Sequence, residues 1–378
     1  MRTKTYFLII ALMLMGLVLS SCAAETASAQ PALQGKIGRA AALNGTLRCA
    51  TPTAEPINAH FPLPPLPPAM TVLAADGSQI NPNRHARVDY CVINVGVFRL
   101  QTGSGLPPTT LIRSNLLDNE QLYTPNGLIS EGTVALMRDL SERQVLVDLA
   151  VRESQPVLTL TDGPLELFRE PKQDREFARL LDDYREVLRQ LSRSGAGTAG
   201  YVDRPRSDLV GRMLEVGLLA EADLAQAGRS RPLLGVSDAS AFRELLAVPG
   251  ERSAVFAIQS LSAENFKDEL ALHFFYLNVG LPRRPYLARV EIPAWVAQQP
   301  AMLDALHAML VSQNSMLGSR PYPYVLLRAH EVAVVSQAES EQVENLIVAE
   351  LLRHGIISVE TSNKQHGKEL LSKKSGRS

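Results

Sequence analysis

The chain has 378 residues and a formal net charge of −1 at pH 7, which excludes a basic field over the whole molecule. Hydrophobic residues make up 46% and charged residues 20%, as expected for one large or two small globular domains with a sizeable core. The three cysteines, Cys22, Cys49 and Cys91, form no CxxC pair, which argues against a cysteine-built zinc site. Because the net charge is close to zero, nucleic-acid binding would need a local basic patch.

Residues 1–22 have the pattern of an export leader. Arg2 and Lys4 precede an apolar run from Phe7 to Leu19, which is short for a bilayer span but suits the core of a signal peptide. The run ends in Leu19-Ser20-Ser21-Cys22. This ending resembles a bacterial lipobox, in which the cysteine is lipidated and anchors the protein to a membrane. The alternative is that a mistaken start site or a gene fusion attached the leader to a cytoplasmic body.

Residues 23–70 are rich in Ala, Pro, Thr and Gln and finish in "FPLPPLPPAM". This composition predicts a flexible tether that closes in a stiff polyproline stretch. Cys49 lies in this segment, and Cys91 lies in the body that follows. The two cysteines could pair as a disulfide in an exported protein, whereas in a cytoplasmic protein they would be small apolar residues.

A compact body is predicted over residues 71–360. Its first elements are a short buried strand, Thr71 to Ala75, and a longer strand or strand pair, Ala86 to Leu100. Apolar residues at helical spacing predict a helix over residues 130–151, with Ser130 as its N-cap. A further strand, Val157 to Thr161, is predicted to end on Asp162, where Gly163 and Pro164 break it.

The second half of the body continues with an amphipathic helix over residues 174–194 and a glycine-rich turn that leads to a short strand and a helix. Three strands are predicted within residues 252–293, and helices follow within residues 293–355. A final strand is predicted at 356–360, before a basic, disordered tail at 361–378. Because strands and helices interleave without strict alternation, we expect an α/β fold, a mixed sheet flanked by helices.

The dipeptide Asp-Gly follows an apolar strand twice, at Asp76-Gly77 and at Asp162-Gly163. Strand ends of this kind deliver a side chain to the rim of a sheet, where ligands commonly bind. Two carboxylates that meet there repel each other unless a divalent cation lies between them, and Mg²⁺ or Mn²⁺ suits such oxygen ligands. The competing interpretation is ordinary, because Asp-Gly is also a common turn dipeptide.

Six segments of the body together resemble the NurA nuclease family in order and approximate spacing. The match extends from about Thr71 to about Ser336. The segments are "VLAADGSQINPNRH", "INVGVFRLQTGSG", "LTLTDGPL", "GYVDRPRS", "FFYLNVG" and "YPYVLLRAHEVAVV".

This resemblance implies an RNase H-like core, a homodimer and hydrolysis of DNA with Mn²⁺ (or Mg²⁺). It implies an enzyme of the 5′–3′ exonuclease and single-strand endonuclease type, which acts in DNA end processing and repair. The implied partners are DNA and a HerA-type hexameric ATPase. The family usually has helices before its first aspartate strand, where this chain has the leader and the proposed tether, and this weakens the expectation of a dimer.

The resemblance also assigns the site residues. Asp76 and Asp162 match the family's strand aspartates, and Glu142 is the best match to its helix acid, so these three residues are the expected metal ligands. Tyr322 and His330 match the late tyrosine and histidine. Metal ions at these acids would activate water and orient the phosphate, while His330 would ligate a metal or move a proton.

Tyr322 would contact a phosphate oxygen or stack on a base. Arg204 and Arg206, in "DRPRS", are candidate DNA contacts. Each assignment has a structural competitor: Glu142 as a solvated helix residue, His330 as a core histidine, and the arginines as surface ion-pair partners. For His85 the structural interpretation is preferred.

Two further functions stay open. The leader favours an envelope lipoprotein that keeps the fold as a non-catalytic binding module, anchored through Cys22, whereas the family function favours a cytoplasmic nuclease. An RNA nuclease is the third possibility, because no residue pattern identifies a reader of the 2′-hydroxyl group.

Overall fold

In the computed structural model, residues 23–82, 88–117, 119–124, 127–154, 156–167 and 175–355 are described. The leader with Cys22, His85, and the predicted final strand and tail therefore lie outside the described residues. In the described part of the chain, no helix combines the length and apolarity needed to cross a membrane.

The described strands fall mainly in the first third of the chain and around residues 250–293. They are β1 Cys49–Pro52, β2 His60–Phe61, β3 Met70–Ile80, β4 Val92–Thr102, β5 Thr109–Leu116, β6 Tyr123–Thr124, β7 Gly127–Leu128, β8 Val157–Asp162, β9 Gly197–Val202, β10 Arg252–Ser253, β11 Phe256–Gln259, β12 Leu272–Asn278 and β13 Leu287–Pro293.

The described α-helices lie before the first of these strands, between them and after the last of them. They are α1 Ala23–Leu43, α2 Asn119–Leu122, α3 Glu131–Ala150, α4 Arg175–Arg193, α5 Leu209–Leu218, α6 Asp238–Leu245, α7 Ala294–Ala297, α8 Pro300–Ser315, α9 Tyr324–Ala333 and α10 Gln337–Arg353.

One large mixed sheet organises the molecule, in the order β1-β11-β12-β13-β9-β8-β3-β4-β5. Within it, β3, β4 and β5 are antiparallel neighbours, and β8 and β9 continue from β3 in parallel. A central strand with two antiparallel neighbours on one side and two parallel strands on the other is the five-stranded arrangement of an RNase H-like core. The predicted fold class is therefore confirmed.

Strand β3 is longer than the sequence predicts, and Asp76 does not end it. The strand pairs with β4 along its whole length, from Met70↔Thr102 to Ile80↔Val92, and Asp76 faces Gly96 in this ladder. The expected turn at Asp76-Gly77 is therefore wrong. Asp and Gly favour turns locally, but a continuous antiparallel partner supplies the backbone hydrogen bonds that keep the chain extended.

Strand β8 follows the prediction, because it ends on Asp162 and Gly163 has a φ of 83°. That left-handed backbone is favourable for glycine alone among common residues. Helix α3 also follows the prediction, since the Ser130 side chain accepts a hydrogen bond from the Thr133 backbone N–H and caps it. Helix α4, at Arg175–Arg193, matches the expected amphipathic helix.

The flexible tether predicted for residues 23–70 differs from the structure. Helix α1 packs against α5, and Ile37 and Ala40 are fully buried. Strand β1 pairs with β11 at the end of the large sheet. Alanine favours helix, and the apolar residues at helical spacing bury one face of α1, so the low-complexity composition concealed a folded segment.

Both described cysteines are free and buried. Burial raises the pKa of the Cys49 thiol to about 12 and that of Cys91 to about 11. These two residues are therefore small apolar core residues, and the disulfide left open by the sequence is absent.

Candidate functional site

The two aspartates of the Asp-Gly dipeptides lie side by side in the sheet. Strands β3 and β8 are parallel, and their last paired residues are Ala75 and Thr161. Asp76 and Asp162 are the next residue of each strand, and neighbouring strands lie about 4.8 Å apart. Beyond this point β8 ends while β3 continues to Ile80, so the last residues of β3 have no partner in β8. Both carboxyl groups lie at this position, which is called the open step here.

Helix α9 brings His330 to Asp76. A Cβ atom on Gly96 would lie 2.5 Å from the Ala333 backbone nitrogen and 2.8 Å from the Ala329 carbonyl oxygen. Glycine at this position therefore lets α9 pack directly on the face of the sheet that carries Asp76. The ring Nδ1 of His330 consequently lies 2.6 Å from Asp76 Oδ2.

Tyr322 holds the second aspartate in the same way. Its hydroxyl donates to Asp162 Oδ1 at 3.0 Å, and its ring packs edge-on against Tyr201. Tyr322 and His330 belong to one segment, the end of the loop before α9 and α9 itself. The predicted tyrosine–histidine pair thus contacts one aspartate with each member.

The surroundings of Asp162 raise the pKa of its carboxyl group. Desolvation by the surrounding protein raises its pKa, the Tyr322 hydrogen bond opposes this shift, and the charges of Asp76 and Asp203 raise the pKa further. For Tyr322, burial followed by the charge of Asp162 raises the pKa of the phenol. Two carboxylates this close together form a negatively charged site that attracts a cation.

Glu142 approaches from the opposite face of β3. Successive residues of a strand point to opposite faces, so Gly77 faces α3 where Asp76 faces α9. A Cβ atom on Gly77 would lie 2.7 Å from Glu142 Oε1 and 2.5 Å from Arg138 Cγ. Gly77 therefore forms no turn, and its lack of a side chain makes room for the α3 side chains. Desolvation raises the pKa of Glu142 to about 8.

Two arginines of α3 accompany Glu142. Arg138 Nε lies 3.4 Å from Glu142 Oε1, and Arg138 also pairs with Asp139 at 2.8 Å. Arg143 is buried and donates to Thr161 Oγ1 at 3.3 Å, next to Asp162. A cleft of about 400 Å³ runs from Arg138, Asp139 and Arg143 to Asp162. Arginine and aspartate side chains therefore line this cleft together.

The candidate DNA contacts lie at the rim of the site. Asp203 directly follows β9, and Arg204 and Arg206 come after it on an exposed loop. Arg204 Nε donates to the Tyr286 hydroxyl at 3.0 Å and lies 4.0 Å from Asp203 Oδ2. Neither arginine contacts the aspartate pair in this structure.

The chemical type of the possible ligands at this site suits a divalent cation. Asp76 and Asp162 supply adjacent carboxylate oxygens, the ligands that Mg²⁺ and Mn²⁺ prefer. Among the described residues, however, no three His, Cys, Asp or Glu side chains form a preassembled metal cluster. The reason is visible in the placement of Glu142, whose carboxyl lies beside Gly77 on the other face of β3 and next to Arg138.

Two acids near the site were missed in the sequence. Asp139 lies on α3 one turn before Glu142, and Asp203 follows β9 as Asp162 ends β8. The signal for Asp203 was available, since a third strand–aspartate junction occurs in the quoted segment "GYVDRPRS". No comparable signal distinguished Asp139 from the other charged residues of α3.

A protein-family model described as "NurA domain" matches residues 70–335. Among solved structures, the chain is similar to the NurA nuclease from Sulfolobus solfataricus, with 13% identity, a TM-score of 0.48, and coverage of 78% of this chain and 88% of that chain. It is also similar to the catalytic domain of human Endonuclease V, with 12% identity, a TM-score of 0.34, and coverage of 84% and 98%. No curated protein sequence matches.

Proposed function

Because the chain belongs to the NurA family, we propose that it is a metal-dependent nuclease that hydrolyses phosphodiester bonds in DNA. One observation carries this proposal. Asp76 and Asp162 are adjacent on parallel strands, and each is held by one member of the Tyr322/His330 pair. A purely structural pair of acids would not need to meet at an open step of the sheet beside a cleft.

The residues of the chain have distinct roles in this proposal. Asp76 and Asp162 would hold Mn²⁺ or Mg²⁺, with Glu142 and His330 as the further predicted ligands. The ion, when bound, supplies Lewis-acid stabilisation of a phosphoryl oxygen and a more acidic water. Tyr322 fixes the orientation of Asp162, and His330 fixes that of Asp76 and can exchange a proton at Nε2. Arg138 lines the cleft where a phosphate would lie.

The direct test is Asp76→Asn, which keeps the shape of the side chain and removes its charge. We expect hydrolysis of linear and single-stranded DNA in Mn²⁺ to fall by on the order of a hundredfold or more. We also expect Mn²⁺ to raise the unfolding temperature of the unsubstituted protein, because a ligand of the folded state stabilises it, and to do so less for Asp76→Asn.

Asp183→Asn is the matched control, since Asp183 is a partly exposed aspartate on α4 whose contact is an ion pair with Arg179. It should keep both the activity and the Mn²⁺ response. The proposal fails if the unsubstituted protein and Asp76→Asn are equally inert on DNA across a metal titration. Parallel assays on RNA separate a DNA nuclease from an RNA nuclease.

The family resemblance supports the finer parts of the proposal. These are the 5′–3′ exonuclease and single-strand endonuclease modes, the role in DNA end processing and repair, homodimer formation and partnership with a HerA-type ATPase. Helix α1 precedes the Asp76 strand, as helices do in the family, and thereby removes one reason to doubt a dimer. Light scattering of the purified protein would measure its oligomeric state.

The location follows from the function in this proposal. A nuclease that acts on chromosomal DNA with an ATPase works in the cytoplasm, so we propose that location. The alternative, a lipoprotein anchored through Cys22, rests on the leader residues.

A further inference from the structure

Two loops next to the aspartate pair carry exposed arginines. Arg204 and Arg206 lie on the loop after β9, and Arg283 and Arg284 form the turn between β12 and β13. These four residues are called the arginine rim here. All four are exposed, so their guanidinium groups are available to a ligand in solution.

Tyr286 joins the two loops. It follows the β12–β13 turn, and its hydroxyl donates to Asp203 Oδ1 at 2.6 Å. The Tyr286 hydroxyl oxygen also accepts a hydrogen bond from Arg204 Nε at 3.0 Å. Arg204 thus takes its position on one loop from a tyrosine on the other, and these hydrogen bonds hold the two loops together.

The positive charge of the rim is poorly neutralised. Within the described residues, the contact of Arg204 with Asp203 spans 4.0 Å, and the nearby Asp208 is paired with Arg231. No ion pair to Arg206, Arg283 or Arg284 occurs among the described residues. Exposed arginines on two joined loops, three of them without an ion pair among the described residues, are the electrostatic feature expected of a phosphate-binding site.

The backbone conformation of two arginines in the rim supports the same conclusion. Arg204 has a φ of 45° and Arg283 a φ of 64°. This left-handed conformation is unfavourable for any residue with a Cβ atom, and glycine adopts it without that cost. Each loop therefore keeps an arginine where folding alone would favour glycine.

The rim also lies close to the aspartate pair. Tyr201 of β9 is paired with Asp162 of β8, and Asp203 is two residues further along the chain. With ordinary strand spacings, this places Asp203 roughly 8 Å from Asp162. A strand whose phosphate lies at Asp162 would thus pass the arginine rim.

We propose that the arginine rim binds the phosphodiester backbone of a nucleic-acid strand beside the bond held at Asp76 and Asp162, with Tyr286 as a positioning residue for Arg204. This inference rests on the proposed nuclease function, since that function explains why a strand lies there. Backbone phosphates are shared by single-stranded DNA, duplex DNA and RNA, so the assays include all three.

Binding is measured by fluorescence anisotropy on the full chain, in the Asp76→Asn background and with EDTA, so that cleavage does not interfere. We expect Arg283→Ala/Arg284→Ala to raise Kd at least about fivefold. The slope of log K against log salt should become shallower by about 0.7 for each lost single-strand contact. The matched control is Arg189→Ala/Arg193→Ala, which removes the same charge at the opposite end of β9 and should leave Kd and slope unchanged.

Two single variants separate binding from folding. Arg204→Gly should raise the unfolding temperature or leave it unchanged, because the left-handed backbone is relieved, and yet raise Kd. Tyr286→Phe should raise Kd by a factor of about two to ten, because it keeps the ring but loses the hydrogen bonds to Asp203 and Arg204.

The inference is overturned if the Arg283/Arg284 double variant binds every polymer with the same Kd and salt slope as the control. Failure of the nuclease proposal has a different outcome, in which the unsubstituted protein cleaves no DNA or RNA although the rim variants still lose binding. The polymer for which the rim variants lose most affinity identifies the preferred strand.

Discussion

Glu142 is a carboxyl group buried between α3 and the sheet. It is 4% exposed, and desolvation dominates the rise of its pKa to about 8. Arg143 and Arg138 oppose the shift, while the charges of Asp139 and Asp76 add to it. A cation bound beside this carboxyl group would favour its charged form and so lower its pKa.

This shift predicts how stability depends on pH in the presence of EDTA. Between the ordinary pKa of 4.5 and about 8, the folded protein keeps the proton that the unfolded chain releases. The contribution of Glu142 to the free energy of unfolding therefore falls as pH rises through this range and is level outside it. Denaturant unfolding at a series of pH values would measure this dependence.

Glu142→Gln is the comparison, because glutamine has a similar shape and no titration. Its free energy of unfolding should fall less with rising pH than that of the unsubstituted protein. Equal slopes for both proteins would show that Glu142 ionises normally in the folded state.

At the scale of elements, the site depends on the close packing of α9 on the sheet. Gly96 permits this contact, and α9 carries His330. We expect Gly96→Ala to destabilise the protein by about 1–3 kcal/mol and to reduce nuclease activity further than the loss of folded protein explains, because α9 must move away from Asp76. Thermal unfolding and activity per folded molecule measure the two effects.

Gly38→Ala is the control for that substitution, since a Cβ atom there meets nothing within 4 Å. In the middle of α1, alanine should be neutral or stabilise by about 0.5–1 kcal/mol. Equal behaviour of the two variants would mean that α9 adapts without cost.

Helix α1 gives a second prediction at this scale. Ile37 is 1% exposed and Leu43 is 61% exposed, although both lie in the alanine-rich segment expected to be a tether. Ile37→Ala should cost about 2–5 kcal/mol of stability, and Leu43→Ala should change stability little. Chemical denaturation distinguishes the alternatives, because a flexible tether would tolerate both changes equally.

For the whole molecule, the leader and the family function lead to different locations. If the protein works in the cytoplasm, cells grown with labelled palmitate should leave it unlabelled, and it should fractionate with soluble proteins. Label that depends on Cys22, and is lost in Cys22→Ser, would instead support the lipoprotein. Retention of Mn²⁺-dependent cleavage in a labelled protein would mean that the enzyme is anchored rather than converted to a binding module.

Much of the fold could be predicted from local sequence signals. Periodic apolar residues and the Ser130 cap located α3, and apolar runs located β8, β12 and β13. The junction of β8 at Asp162-Gly163 was also correct, because Gly163 does adopt a conformation that favours glycine. Such features depend on neighbouring residues, so one sequence suffices to find them.

The sequence by itself determined the residue types of the site and their order along the chain: two aspartates that follow apolar runs, a helix acid, and a tyrosine and histidine near the end. Only the tertiary structure decided that β3 continues through Asp76, that Glu142 lies on the opposite face beside Gly77, and that residues 23–43 form a packed helix. These outcomes depend on partners distant in sequence. Strand β4, helix α3 and helix α5 supply the hydrogen bonds and buried surface that override local preferences, and local patterns carry no record of such partners.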